Sequence, residues 1–173
     1  MKVLKLFFLF ASLTIIVSCR KSNPDVKTNL NVEKYIELLR ANQYDSMNLP
    51  EFTYQDIPAL LKYRNETQNI NNFPRNGISS LYGPNCKLGM YVLWTVESIR
   101  AVAINSKYLI MRFPSQNPIL ALRSTTNLNL VYSDESHQIA AKAYFDWWEN
   151  NKQKDFDAFK NTDPLKSSDY SWH

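Results

Sequence analysis

The sequence predicts an all-α fold, a compact helical bundle of about four to six helices with one long irregular loop. In several segments of the 173-residue chain, apolar residues recur with the helical period of about 3.6 residues. The three glycines, Gly77, Gly83 and Gly89, fall in one short stretch, where turn-forming residues are also concentrated. The sequence therefore has no Gly-rich phosphate-binding loop, which excludes the nucleotide-binding folds that depend on one.

Residues 1–18 are predicted to be a lipoprotein signal peptide. Two lysines precede a charge-free stretch at residues 6–17, whose 12 residues are too few for a helix across about 30 Å of hydrocarbon. The sequence Ile-Val-Ser-Cys at residues 16–19 resembles the bacterial lipobox. That resemblance implies cleavage before Cys19, whose thiol then carries the lipid.

Removal of the signal peptide changes both the charge and the organisation of the chain. The formal net charge of +4 falls to +2, because two of the 20 Lys and Arg residues lie in the leader, leaving 18 against 16 Asp and Glu. So small a surplus on a mixed surface argues against a nucleic-acid partner. Residues 19–31 are polar and are predicted to be a lipidated flexible tether, and residues 32–173 a single helical domain.

The first two helices are predicted from periodicity and capping. A helix begins after Asn31, a suitable N-cap, and its apolar positions share one face: Val32, Tyr35, Ile36 and Leu39. A second helix begins near Asp56, because Thr53 and Asp56 offer a capping arrangement. Pro58 is tolerated there only within about one turn of the helix start. This helix is expected to fade near Asn65.

The middle of the chain combines an irregular loop with a central helix. Residues 66–86 contain Asn-Asn, Phe-Pro, Asn-Gly and Gly-Pro pairs, which favour turns. Residues 88–105 are periodic and apolar on nearly all sides, as in a central helix. The charged residues in this helix, Glu97 and Arg100, are three positions apart and can pair. We expect their ion pair to fasten the helix to the irregular loop.

The remaining elements are predicted from short signals. Residues 108–113 have the composition of a short strand, and Asn117-Pro118 resembles the cap and first position of a short helix. Ser133 or Ser136 starts the last long helix, and the two acidic residues between them suit its N-terminus.

Several blocks of the body carry a resemblance to a known family: Asp56-Ile57-Pro58-Ala59-Leu60-Leu61-Lys62-Tyr63, Phe73-Pro74-Arg75-Asn76, Cys86-Lys87-Leu88-Gly89, Leu93-Trp94 through Arg100, Asp163-Pro164-Leu165 and Tyr170-Ser171-Trp172. With these blocks, residues 31–173 resemble a family of predicted lipoproteins of unknown function that is common in gut Bacteroidetes. Family members often have proline where this chain has Gly77. The resemblance implies a lipid-anchored helical domain and no particular activity.

Cys86 and His137 are the candidate residues for an enzyme. Cys86 lies at the predicted start of the central helix, whose N-terminus lowers a thiol pKa, and His137 follows 51 residues later, with Asp146 or Glu149 beyond. This order resembles that of cell-wall cysteine endopeptidases and implies a cysteine-dependent amidase or peptidase. The residues around Cys86 do not match their nucleophile motif, however, and unmodified cysteine is among the most buried residue types. We therefore assign no catalytic residue and keep Cys86 with His137 as the alternative.

Aromatic residues support a different hypothesis from the enzyme, namely a binding surface. Four of them, Tyr144, Phe145, Trp147 and Trp148, cluster on the last predicted helix. Neighbouring positions on a helix point about 100° apart, so Trp147 and Trp148 cannot both face one core. Tyr144 and Trp148 are the candidate binding residues, for an envelope protein or a glycan. The other interpretation is structural: one of the two tryptophans packs in the core, and another part of the chain covers the other. Glu97 has a similar pair of interpretations, as a buried general acid or as the partner of Arg100.

The sequence thus predicts a binding or interaction module of the cell envelope. We expect it on the periplasmic side of the outer membrane, anchored by lipid on Cys19, because the following Arg20-Lys21-Ser22 lacks the acidic cluster that resembles a surface-export signal in Bacteroidetes lipoproteins. Asp45-Ser46-Met47 resembles an O-glycosylation acceptor of exported Bacteroidetes proteins, with Ser46 as the modified residue. No cofactor and no metal are expected, since the chain has two histidines in all.

Overall fold

The computed structural model of the chain describes residues 30–81, 83–124 and 127–173. In this part of the chain the fold is a mixed α/β one, built from four α-helices and two antiparallel sheets with five strands in all. The predicted all-α fold is therefore wrong. The predicted signal peptide and most of the predicted tether, including Cys19, lie outside the described residues.

Two helices of 16 residues, α3 and α4, are the long elements of the described structure. The helices are α1 (Val32–Arg40), α2 (Ile57–Leu61), α3 (Leu88–Ala103) and α4 (Asp134–Glu149). The strands are β1 (Asn69–Ile70), β2 (Cys86–Lys87), β3 (Leu120–Leu122), β4 (Leu130–Val131) and β5 (Tyr170–Trp172). Short 3₁₀ turns at Tyr54–Asp56 and Phe156–Ala158 precede α2 and follow α4.

The helix starts follow from capping groups that the sequence supplies. The Asn31 side chain accepts a 2.8 Å hydrogen bond from a main-chain amide of the first turn of α1, so the predicted start is confirmed. Thr53 and Asp56 form the predicted capping box before α2, which ends at Leu61 rather than near Asn65. The Ser133 hydroxyl caps α4, and the structure thus selects this residue from the two predicted starts.

Helix α3 is the centre of the fold. Residues 88–101 are all buried, as the apolar composition of this segment predicts. Helices α2 and α4 pack on α3, and α1 packs on α2. A Cβ atom at Gly89 would lie 2.5 Å from the Arg64 carbonyl oxygen and 2.6 Å from His137 Nε2. The missing side chain therefore lets the start of α3 approach both the turn after α2 and helix α4.

The two sheets are small and join segments that are distant in the sequence. Strands β1 and β2 pair with Ile70 opposite Cys86, within the segment predicted to be irregular. In the second sheet β3 is central, and its residue Ala121 lies opposite Leu130 of β4 and Ser171 of β5. Strands of two or three residues are too short to produce the alternation that predicts a strand. This is why the helical periods alone suggested an all-α fold.

The connection from α3 to β3 differs from its prediction in two places. Residues 108–113 form turns closed by a bridge between Ile110 and Phe113, not a strand. Asn117 does not cap a helix, because its side-chain amide donates to the Ser79 hydroxyl at 2.7 Å. Strand β3 begins at Leu120 instead of the predicted short helix. At Asn117 a partner from a distant part of the chain overrides the local signal, whereas residues 108–113 are closed by a local bridge.

Two Phe-Pro turns lie side by side because both contact α3. Phe73 packs on Tyr91 and Phe113 stacks on Trp94, with ring centroids 4.8 and 5.5 Å apart. The Tyr91 hydroxyl donates to the carbonyl of residue 74 at 2.9 Å, and the Trp94 indole N–H donates to the Ser115 hydroxyl at 2.8 Å. The loops that follow these turns are thereby fixed relative to α3.

Candidate functional site

A cleft of about 530 Å³ opens between these loops and strand β5. This volume is typical of small-ligand sites, which measure about 300–1,000 Å³. The residues that matter to its chemistry come from the first of these loops, the connection after α3, α3 itself, the end of β3 and β5: Ile78, Tyr108, Glu97, Arg100, Arg123 and Trp172. No single segment of the chain builds the cleft.

The floor of the cleft is a hydrogen-bonded ion pair. Arg100 contacts both carboxylate oxygens of Glu97, with its Nη2 2.5 Å from Oε1 and its Nε 3.0 Å from Oε2. The Tyr144 hydroxyl donates to Oε2 at 2.6 Å and accepts from the Trp172 indole N–H at 2.7 Å. The predicted pairing of Glu97 with Arg100 is confirmed. A carboxylate that accepts three hydrogen bonds is held as an acceptor, which suits a structural role more than that of a general acid.

The ion pair fastens α3 to the C-terminal half of the chain. Arg100 Nη1 donates to the carbonyl oxygen of Lys160 at 3.2 Å, and Tyr144 belongs to α4. The expectation that Glu97 and Arg100 hold the irregular loop is therefore wrong. Burial raises the pKa of Tyr144 well above 10, and the negative charge of Glu97 adds to the shift. Burial is the largest influence on the pKa of Arg100 and would lower it, but the hydrogen bonds and charge of Glu97, together with Tyr144 and Asp163, outweigh burial and raise the pKa.

The rim of the cleft carries both apolar and charged side chains. Ile78 is 62% exposed and Tyr108 is 66% exposed, so both present apolar surface to water. The Lys107 ammonium lies over the Tyr108 ring, 4.9 Å from its centroid. Arg123, which also lines the cleft, forms a 2.6 Å ion pair with Asp163. The cleft thus presents exposed apolar groups beside this ion pair and the Lys107 ammonium.

Cys86 and His137 line a second cavity, of about 220 Å³. The Cys86 thiol donates to the carbonyl oxygens of Lys87 and Pro118, at 3.4 and 3.8 Å. Burial raises the pKa of the Cys86 thiol to about 12 and lowers the pKa of His137, whose Nε2 lies 2.8 Å from the Arg64 carbonyl oxygen. A nucleophilic thiol needs the opposite shift. The geometry therefore brings the two candidates to one cavity but favours neutral, packed side chains there.

The candidate binding residues Tyr144 and Trp148 both make contacts within the chain. Tyr144 is fully buried beneath the cleft floor. Trp148 is half-buried, and its ring lies 6.1 Å from that of Phe159, which also packs on Trp147 at 5.2 Å. The segment after α4 thus covers the two tryptophans from one side. This arrangement favours the structural interpretation over a binding surface.

The last predicted site residue, Ser46, lies in the link between α1 and α2 and is half-buried. Its hydroxyl donates to the carbonyl oxygen of Asn48 at 3.2 Å and accepts from the amide of Asn48 at 3.1 Å. Glycosylation of Ser46 stays a prediction. In the described ranges, no cluster of three or more His, Cys, Asp or Glu residues is placed to hold a metal ion. None of the described helices is long and apolar enough to cross a bilayer.

The model of a family described as "Domain of unknown function (DUF4943)" matches residues 26–173. The chain belongs to this family. No curated protein and no solved structure matches it. Membership of a family of unknown function is therefore confirmed for this DUF4943 chain, whereas the lipoprotein nature expected from the resemblance stays a prediction.

Several cleft residues of the DUF4943 domain escaped sequence reasoning. Trp172 and Ile78 belong to or adjoin blocks that carried the family resemblance, so a signal for them was present. Tyr108 fell in a segment predicted as a strand, and Arg123 lies in no motif. These residues become neighbours only through the packing of α3 against the loops and β5.

Proposed function

We propose that this DUF4943 protein is a lipid-anchored envelope protein whose folded domain binds a partner molecule in the cleft. The observation that supports the proposal is the combination of a fixed floor with an exposed apolar rim. The floor, Glu97 with Arg100, is buried and is hydrogen-bonded within the pair and to Tyr144 beneath it, so it keeps its shape without a ligand. The rim supplies Ile78 and Tyr108, whose apolar surface a partner would remove from water.

The proposed anchor is the lipid on Cys19. The lipobox resemblance and the short charge-free leader support it. The 13 residues from 19 to 31 would reach about 40 Å when extended, at about 3.3 Å per residue, so the cleft would remain near the membrane. The periplasmic side of the outer membrane is the proposed location, and an envelope protein or glycan is the proposed class of partner.

The binding role is preferred over the alternative of a cysteine-dependent peptidase. The cavity that holds Cys86 and His137 is smaller than the cleft, and the thiol donates hydrogen bonds to carbonyl groups. A peptidase would need that thiol as a thiolate beside an imidazolium. The raised pKa of Cys86 and the lowered pKa of His137 both oppose such a pair.

The binding role is tested by a matched pair of variants. Tyr108→Ala removes a ring at the cleft rim, and Tyr132→Ala removes a ring of nearly equal exposure, 65%, that lines the Cys86 cavity. Native lipoprotein would be crosslinked in envelopes of its host and purified. The proposal expects a co-purifying molecule that Tyr108→Ala loses and Tyr132→Ala keeps. If both variants recover the co-purifying molecule equally, the cleft is not its binding site.

The anchor is tested separately. Cells given an alkyne-labelled fatty acid are expected to label the wild-type protein and the Cys86→Ser variant equally, and to leave Cys19→Ser unlabelled. Label that persists in Cys19→Ser would contradict the proposed lipidation. In the same samples, a peptide-mass shift abolished by Ser46→Ala would establish the predicted glycan, and an unmodified Ser46 peptide would exclude it.

A further inference from the structure

We infer that the partner in the cleft is a polypeptide segment in extended conformation, which adds as a strand to the outer edge of β5. This inference rests on the proposed function, because it takes the cleft as the binding site. The ligand would be a peptide whose backbone offers one acceptor and one donor and whose apolar side chains lie on the face toward the loops.

The register of the sheet defines which groups of β5 point outward. Strand β5 is an outer strand of its sheet and pairs with β3 on one side. The Arg123 amide donates to the Asp169 carbonyl at 2.8 Å, and the His173 amide donates to the Ile119 carbonyl at 3.0 Å. In antiparallel pairing, alternate residues direct both main-chain groups to the same neighbour. Residues 169, 171 and 173 therefore face β3, and Tyr170 and Trp172 face away from it.

The two outward-facing residues differ in whether their main-chain N–H and C=O groups already have hydrogen-bond partners. The Tyr170 amide donates to the Ser168 hydroxyl at 3.2 Å, and its carbonyl accepts from Arg123 Nε at 2.6 Å. In residues 30–81, 83–124 and 127–173, the main-chain N–H and C=O of Trp172 have no hydrogen-bond partner. Trp172 lines the cleft. One donor and one acceptor of a strand edge therefore remain on a residue that lines the cleft, the pair that an added strand uses.

Most of the charged groups in the cleft are paired. Glu97 is paired with Arg100, and Asp163 with Arg123, so these opposite charges largely cancel. The Lys107 ammonium also lines the cleft, and it lies over the Tyr108 ring. The peptide backbone is neutral and needs hydrogen bonds when it leaves water. The free groups of Trp172 meet that need.

The aromatic side chains favour a peptide over a glycan. Sugars are held by stacking on open ring faces. One face of Tyr108 is covered by the Lys107 ammonium, and the Trp172 indole is tied by its N–H to the Tyr144 hydroxyl. Apolar side chains need no open ring face and can pack against the exposed side chains of Tyr108 and Ile78. On an extended chain every second side chain would point to this rim.

The test uses the mature chain with Cys19→Ser and a displayed library of random dodecapeptides as the probe. A selected peptide is resynthesised with one N-methyl group at each position in turn, which removes that amide hydrogen. We expect N-methylation of the single peptide amide that donates to the Trp172 carbonyl to weaken binding about tenfold, and N-methylation of the other amides to be tolerated. Tyr108→Ala is expected to weaken the same peptide, and Tyr132→Ala to leave its affinity unchanged.

The outcomes separate this inference from the proposed function. A library that yields no binder, or a binder that tolerates N-methylation at every position, overturns the extended-peptide inference. If a glycan from the envelope is lost with Tyr108→Ala and kept with Tyr132→Ala, the cleft is still a binding site and the peptide is excluded. If neither peptide nor envelope component depends on Tyr108, both proposals fail.

Discussion

The Tyr144 hydroxyl donates a 2.6 Å hydrogen bond to the Glu97 carboxylate, across 47 residues of sequence. The same hydroxyl accepts from the Trp172 indole N–H, and the same carboxylate accepts two bonds from Arg100. Helices α3 and α4 and strand β5 thus meet at one carboxyl group under the cleft. The effect of changing Glu97 should therefore exceed that of breaking one ion pair.

Glu97→Gln is expected to lower the free energy of unfolding by about 3–5 kcal/mol, because it leaves a buried guanidinium without its counter-charge. The control is Glu37→Gln, which breaks an ion pair with Lys34 of similar sequence spacing but with side chains 68% and 50% exposed. That change is expected to cost less than about 1 kcal/mol. Urea unfolding measures both. Equal losses would show that the Glu97 carboxylate does not join the three elements.

Gly89→Ala is expected to destabilise the fold by about 1–3 kcal/mol, since the new methyl group would meet main-chain carbonyls at 2.5 and 2.8 Å. Carbonyl groups of Arg64 and Glu66 cannot move aside without shifting the turn after α2. Gly77→Ala is the control, because nothing lies within 4 Å of the position that its methyl group would take. It is expected to be neutral or to stabilise by less than about 1 kcal/mol. Thermal unfolding of both variants tests the close approach.

The helices were predictable because their signals are local. The apolar positions of α1 and α3, and the caps Asn31 and Ser133, lie within a few residues of the elements they define. Strand β3 has no such signal, since its Leu120 pairs with residues 131 and 172. Its conformation depends on contacts with segments that are distant in the sequence. Short strands of this kind are invisible to periodicity.

The residues of the cleft and of the second cavity also differ in how much of their role the sequence could predict. Cys86 and His137 were recognised from residue type and order, and the structure does place them at one cavity. Their protonation depends on burial, which no spacing rule captures, and burial moves the thiol pKa away from reactivity. Arg123 and Tyr108 reach the cleft from positions without a motif. Only the folded chain brings them together.

His137 is expected to make stability fall in mild acid. Burial lowers its folded-state pKa below the ordinary value of 6.5, so the unfolded chain takes up the proton first as the pH falls. The contribution is complete above about pH 6.5 and is lost below it, with a slope of at most about 1.4 kcal/mol per pH unit. Chemical denaturation from pH 7.5 to 5.5 measures it. His137→Gln should abolish this slope and His173→Gln should keep it; a slope that survives in His137→Gln would contradict the assignment.

Cys86 is expected to react slowly with thiol reagents in the folded protein. With a pKa of about 12, its thiolate fraction at pH 8 is about 10³-fold lower than that of a thiol at the ordinary value of 9.0. The Cys19→Ser chain leaves Cys86 as its one thiol, so a disulfide-exchange reagent reports on it alone. The labelling rate should rise about tenfold per pH unit from 8 to 11 and should not change with His137→Gln. Rapid labelling at pH 7 that depends on His137 would instead reveal a thiolate–imidazolium pair, and would make the peptidase alternative the stronger one.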